Sequence, residues 1–339
     1  PCTDSDQDTM NLVFDPLPIA FAGLDDTICV NQVITLSGQL TNSTSSTWST
    51  LGDGVFDDPS SLTAEYTPGT NDIITGNVEL ILLADAISPC TDTDQDTMNL
   101  VFDPLPIAFA GLDDTICVNQ VITLLGVITN STSSIWSTLG DGVFDDPSSL
   151  TATYTPGNND VITGNVELLL LADAISPCTD SDQDTMNLVF DPLPIAFAGL
   201  DDTICVNQVI TLSGQLTNST SSTWSTLGDG VFDDPSSLTA EYTPGTNDII
   251  TGNVELILLA DAISPCTDTD QDTMNLIFDP LPIAFAGLDD TICVNQVITL
   301  SGQLTNSTSA AWSTLGDGVF DDPSSLTAEY TPGTVDQLT

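Results

Sequence analysis

Cysteine and aspartate are the side chains here that could do chemistry, because lysine, arginine and histidine are absent from all 339 positions. The cysteines are Cys2, Cys29, Cys90, Cys117, Cys178, Cys205, Cys266 and Cys293. No C-x-x-C pair or cluster of four ligands is present, so structural zinc is not expected. An even count in a histidine-free chain reads as disulfides made in an oxidising compartment, with buried free thiols as the alternative. The D-x-D-x-D spacing of Asp4-Ser5-Asp6-Gln7-Asp8 recurs three times. Oxygen ligands at alternate positions of a loop can converge on one hard cation. Asp92, Asp94 and Asp96, then Asp180, Asp182 and Asp184, then Asp268, Asp270 and Asp272 are therefore candidate calcium ligands. Asp53, Asp57 and Asp58 form a second acidic loop of the same kind. The glycine and terminal glutamate of an EF-hand loop are missing, which leaves a solvated acidic hairpin as the alternative.

Composition excludes much else. Without histidine there is no ordinary catalytic triad, and without lysine or arginine no Schiff base, P-loop or cationic oxyanion clamp. A carboxylate pair could still hydrolyse glycosides, but four near-identical active sites in tandem would be unusual, and the chain is not expected to be an enzyme. Lysine–asparagine isopeptide cross-links are closed to it for the same reason. A net charge of −49 repels phosphate, so neither nucleic acid nor anionic lipid is an expected partner. No run approaches the ~18 apolar residues of a membrane span, and no membrane insertion is expected.

These residues recur because the whole chain repeats with a period of 88. Residues 1–88 return letter for letter at 177–264, and the intervening copies differ at few positions. Such a period suits one small autonomous domain. Short runs of alternating or apolar residues separated by turn residues predict strands at Val33–Leu36, Ser46–Thr50, Leu62–Tyr66, Asn77–Ala84 and Met98–Phe102, with Ile34, Leu36 and Trp48 inward. No segment sustains a helical period. Asp15-Pro16-Leu17-Pro18 stops a strand and stiffens the chain, which marks it as the joint. The predicted organisation is residues 1–17 as the last strand of a preceding repeat, complete repeats at 18–105, 106–193 and 194–281, and an incomplete one at 282–339. The fold class is all-β, a tandem array of sandwich domains.

The run Trp48-Ser49-Thr50-Leu51-Gly52-Asp53-Gly54 resembles the W-x-F-G-D-G core of PKD domains, which are immunoglobulin-like sandwiches. Pro18–Gly23 resembles that family's entry strand, and Tyr66, Pro68-Gly69 and Val78–Ala84 its later strands. Leu51 for phenylalanine and the Asp57–Leu62 insertion are departures. The whole period is similar to repeats of very large secreted adhesins of gliding bacteria. The resemblance implies an extracellular or cell-surface location and a structural role, as a rigid stalk or self-assembling fibre of a bacterial surface adhesin. Its partners would be copies of itself, neighbouring modules or surface glycans. A carbohydrate-binding array is the alternative, since PKD-like modules accompany polysaccharide-degrading enzymes. Asp-Thr-aliphatic triplets resemble an O-glycosylation acceptor among relatives of those bacteria. Thr9, Thr27, Thr97, Thr115, Thr185, Thr203, Thr273 and Thr291 are the positions concerned, and plain strand residues are the other reading.

Three further expectations concern how modules meet. Cys29 ends the entry strand at the module's far end, whereas Cys90 lies in the last hairpin at the near end. A strand of about six residues spans roughly 20 Å, whereas a disulfide needs Cα atoms within about 7 Å. Bonds from Cys29 to Cys178 and from Cys117 to Cys266 are therefore expected, with Cys90 and Cys205 as further disulfide candidates and a lateral neighbour chain as the alternative source of a partner. Calcium is expected where Asp180, Asp182 and Asp184 face the preceding module's Asp53, Asp57 and Asp58. Finally, Leu125, Val127, Ile135 and Thr153 replace Ser37, Gln39, Thr47 and Glu65 in the second repeat. Alternation turns all four outward, and an apolar patch on that face would be buried against another chain or module, unless the changes are neutral drift.

Overall fold

The computed structural model describes residues 2–336; Pro1 and residues 337–339, the extremities of the first and last predicted segments, lie outside the described residues. The chain divides into two compact units at Asp191–Pro192. It is all-β, built from immunoglobulin-like sandwiches in tandem, with one short helix in each complete repeat.

In the first repeat the strands are β1 (Ile19–Phe21), β2 (Asp26–Cys29), β3 (Ile34–Thr35), β4 (Gln39–Thr41), β5 (Ser46–Thr50), β6 (Val55–Phe56), β7 (Glu65–Thr67), β8 (Asn77–Ala84) and β9 (Asp94–Asp103). One sheet has the order β2-β9-β8-β5, and opposite it lie β3-β7-β6 and the ribbon β1-β4. Period-2 burial follows from pleating. In β8, Val78, Leu80, Leu82 and Ala84 enter the core while Glu79 stays outside. Trp48, only 2% exposed, lies between the sheets with Phe56 and Tyr66 packed in sequence beside it. Equivalent cores form from Ala108 to Phe190 and, in the second unit, from Ala196 to Phe278.

Three local features differ from the sequence reading. The predicted Leu62–Tyr66 strand starts only at Glu65, because Ala64 N–H closes a turn onto the Ser61 carbonyl. The last strand is longer, beginning at Asp94 rather than Met98. A helix, α1 (Thr70–Thr75), precedes β8. Six residues are too few to show a 3.6 period, and what defines α1 is its ends. The Asp53 carboxylate accepts from the N–H groups of Asn71 and Asp72, at 3.0 and 3.2 Å, and Gly76 closes the helix at φ 81°.

The carboxylates of the D-x-D-x-D run belong to the fold as well. Asp94 and Asp96 accept hydrogen bonds from the backbone N–H groups of Ala20 and Ala22, at 2.9 and 2.8 Å. The same pairs recur as Asp182 and Asp184 with Ala108 and Ala110, and as Asp270 and Asp272 with Ala196 and Ala198. They tie the entry strand across to β9 where no ladder bond reaches. Asp96→Ala should therefore destabilise the first module by about 1.5–3 kcal/mol, the worth of a hydrogen bond to a charged group. Thermal melts of the variant and parent check this; superimposable curves would show the bond to be idle.

Candidate functional site

Two sites combine chemistry-bearing side chains with defined geometry. The first lies beneath the Gly52-Asp53-Gly54 turn. Asp72, on α1, is buried, and its Oδ2 accepts from the Tyr66 hydroxyl at 2.6 Å, from Gly69 N–H at 2.9 Å and from Gly54 N–H at 3.0 Å. Its Oδ1 accepts from Asp53 N–H at 3.1 Å. Burial pushes this carboxyl up, but the bonds from Tyr66, Gly69, Asp53 and Gly54 outweigh it and hold the group below its ordinary 3.8. Burial, with Asp72 alongside, pushes the Tyr66 phenol up, so it remains a neutral donor. A Cβ on Gly52 would sit 1.9 Å from the Asp72 carboxylate, and one on Gly54 would sit 2.3 Å from the Tyr66 hydroxyl. This close approach explains the two glycines. Both carboxylate oxygens accept hydrogen bonds from the surrounding fold, so Asp72 acts as a structural keystone.

The second site is the joint between the first two modules, inside the first unit. β2 pairs with β9 in parallel, which sets Cys29 opposite Asp103, the residue at which β9 leaves the module. Cys90 precedes β9, at its other end, about 30 Å away for a ten-residue strand. Beyond Asp103 the chain runs through Pro104-Leu105-Pro106 into the next entry strand, Ile107–Phe109. In that second module the Ile175–Cys178 turn, closed by Cys178 N–H on the Ile175 carbonyl at 2.9 Å, turns Cys178 back toward the first. Cys29 and Cys178 form a disulfide with Cα atoms 4.8 Å apart, spanning 149 residues of sequence. The Cys178 sulfur also lies 3.4 Å from the Asp103 carbonyl oxygen, so the bond rests on the joint itself. Beside it, Asn31 donates from Nδ2 to Asp180 at 2.8 Å.

The remaining candidates divide as follows. Cys90 and Cys205 are free thiols, as are Cys2 and Cys293. Asp180 meets Asn31 rather than Asp53, Asp57 or Asp58. Those three are occupied in their own module: Asp53 caps α1, Asp57 accepts from Asp58 and Glu65 N–H, and Asp58 accepts from Ser60. The calcium geometry expected for Asp92–Asp96, Asp180–Asp184 and Asp268–Asp272 is not the arrangement found. Successive odd positions on a strand stand about 7 Å apart on one face, and Asp94 and Asp96 each hold a different N–H. Among the described residues no three acidic or cysteine side chains converge as a metal-binding group. Thr97, Thr185, Thr203, Thr273, Thr291 and Thr9 are exposed, while Thr27 and Thr115 are half-buried.

The four substituted positions of the second repeat do not share one face. Ile135 flanks Trp136 on the strand Ser134–Thr138 and points out of the four-stranded sheet. Thr153 flanks Tyr154 on the strand Thr153–Thr155 of the opposite sheet and points the other way. Leu125 and Val127 lie on the Thr153 side, because Leu124 and Gly126 bond to Ala152 and Leu150 there. Leu125, Val127 and Ile135 are 72, 52 and 46% exposed. The tryptophans and tyrosines of the three complete repeats are at most 2% exposed, which leaves those rings no face on which to stack a sugar.

No protein-family model matches the chain, and no curated protein matches its sequence. Among solved structures it is similar to the cis-dimer structure of protocadherin gammaB7 EC3-6, at 12% identity, 91% coverage of this chain, 90% of that one and TM-score 0.36. It is similar also to mouse cadherin-23 EC22-24, at 12% identity, 79% and 100% coverage and TM-score 0.39. The protocadherin gammaB4 extracellular domain matches at 12% identity, 94% and 62% coverage and TM-score 0.41. Identities this low fix no ligand, activity or partner. Among the described residues no helix is long and apolar enough to cross a membrane.

Proposed function

We propose that the chain is a load-bearing structural repeat outside the cell, part of a stalk or self-assembling fibre of a bacterial surface adhesin. One observation carries the reading: a disulfide from the exit end of one sandwich to the return loop of the next, laid across a prolyl joint. A bond there resists bending and pulling between modules and serves no reaction. Disulfide use supports the reading as well, since such bonds form and persist in oxidising compartments.

Imaging of surface material labelled with an antibody against residues 18–193 tests this. Thin beaded fibres or stalks are the expected result. Label confined to the cytoplasm would overturn the reading, as would saturable binding of the folded chain to a glycan together with no surface filament.

A further inference from the structure

In the second repeat, the three-stranded sheet and its adjoining ribbon present an outer face unlike that of the other repeats. Ile107, Phe109, Leu125, Val127 and Val143 are all exposed on it. The strand register puts them on one surface. Phe109 stands opposite Val127, and Ile107 opposite Thr129. Thr123 stands opposite Thr153, and Val143 opposite Thr155. The residues that alternate with these, Ala108, Leu124 and Tyr154, enter the core instead. No residue of the strands Ile107–Phe109, Ile122–Thr123, Val127–Thr129, Val143–Phe144 and Thr153–Thr155 is charged. The other three repeats have Ser and Gln where Leu125 and Val127 stand, and Glu65, Glu241 or Glu329 where Thr153 stands.

We propose that this face makes a two-fold contact with the same face of a second copy of the chain. Charge selects the partner. A cationic partner would gain from the glutamate that the other repeats keep, whereas an anionic partner gains from its removal. With a net charge of −49 and no cationic side chain, a second copy is such an anionic partner. Charge also selects the repeat. Docking onto any of the other three faces would bury a glutamate with no cation to pair it, which is unfavourable. The 106–193 repeat therefore matches itself best. The contact is isologous, so Leu125 and Val127 of each copy meet the corresponding run of the other. Asp145, which follows the edge strand Val143–Phe144, stays at the rim, where its Oδ1 accepts from Thr153 N–H at 2.6 Å.

The size of the face sets the strength of the contact. It spans four strand rows about 4.8 Å apart and about 27 Å along residues 122–129, or roughly 400 Å² in projection because the flanking strands are shorter. Side chains standing above the sheet add accessible area, so a pair buries about 1,000 Å², the low end for specific contacts. A single contact is therefore weak and reversible. Salt should strengthen it, because screening beyond about 10 Å at about 0.1 M relieves repulsion between two acidic chains and leaves apolar burial intact. Stalks lying side by side would engage several such contacts at once, which multiplies a weak affinity.

The contact adds a lateral pairing to the fibre reading and does not depend on it. The test is sedimentation equilibrium of the whole chain over a concentration series, at low and at high salt. Free thiols are alkylated without reductant, which keeps the Cys29–Cys178 bond closed and removes disulfide-linked species. The expected result is a reversible dimer whose population rises with salt. The deciding variant carries Leu125→Ser, Val127→Gln and Thr153→Glu, residues that the same fold already holds at these positions in the first repeat. It should weaken association by about tenfold or more, since it removes apolar burial and restores an unpaired carboxylate on each copy. Its melting curve should be unchanged. Ile135→Thr, on the opposite sheet, should leave association as it was. A chain that is monomeric throughout would overturn the contact while leaving a single-chain stalk intact. A dimer that survives the triple variant, or that dissociates as salt rises, would overturn it too.

Discussion

Asp72→Ala should destabilise the first module by about 3–5 kcal/mol, enough to make it melt well before its neighbours. One buried carboxylate there accepts four hydrogen bonds, from Tyr66, Gly69, Gly54 and Asp53. Truncation leaves buried donors with no acceptor, each costing about 1–3 kcal/mol where water cannot reach. Small domains are stable by only about 5–15 kcal/mol, so the loss is a large share of the total. Asp160 and Asp248 hold the same position in the next two repeats, which gives an internal control. Calorimetry of the variant should show one module melting early and the others unshifted; a single unchanged transition would disprove the keystone role. The pH dependence has a definite sign. Asp72 is lowered in the folded state, so its contribution is complete above the unfolded carboxyl range and declines as pH falls below 3.8. Acid should therefore melt the parent modules, while Asp72→Asn flattens that dependence for its own module.

Cutting the Cys29–Cys178 bond should change how the chain extends under force. The bond closes 149 residues into a loop that tension applied at the chain ends bypasses, even after the modules unfold. At about 3.3–3.6 Å per residue, reduction or Cys29→Ser should release about 500 Å of additional contour length. By the chain-entropy account, a loop of this size also withholds about 5 kcal/mol from the unfolded ensemble. Single-molecule pulling with and without reductant measures the first quantity, and thermal melts the second. Equal extension in both conditions would mean that the bond carries no load.

Much of this organisation is written into local sequence. Identity at a spacing of 88 defines the unit, the two prolines of each Pro-Leu-Pro mark the joint, and alternation turns Leu36, Trp48 and Tyr66 inward. Those signals need only neighbouring residues, and they suffice for an all-β sandwich class. The pairing of strands is a different matter. That β2 runs parallel to β9, and so delivers Cys29 to the exit end beside Asp103, depends on residues 74 positions apart in sequence. The D-x-D-x-D run shows the limit most clearly: its charges suggest a cation, but the folded strand spends Asp94 and Asp96 on the N–H groups of Ala20 and Ala22. Asp72 gave no signal either, because a six-residue helix has no period to read and its partners converge only in three dimensions. Alternation likewise tells outward from inward without saying from which sheet, so Ile135 and Thr153 proved to face opposite ways. Sequence alone determined the repeat, its core and its joint, because covalent order and side-chain period act locally. Which carboxylates serve the backbone, and which cysteine meets which, was decided by tertiary structure, because hydrogen-bond donors and sulfurs find partners through space.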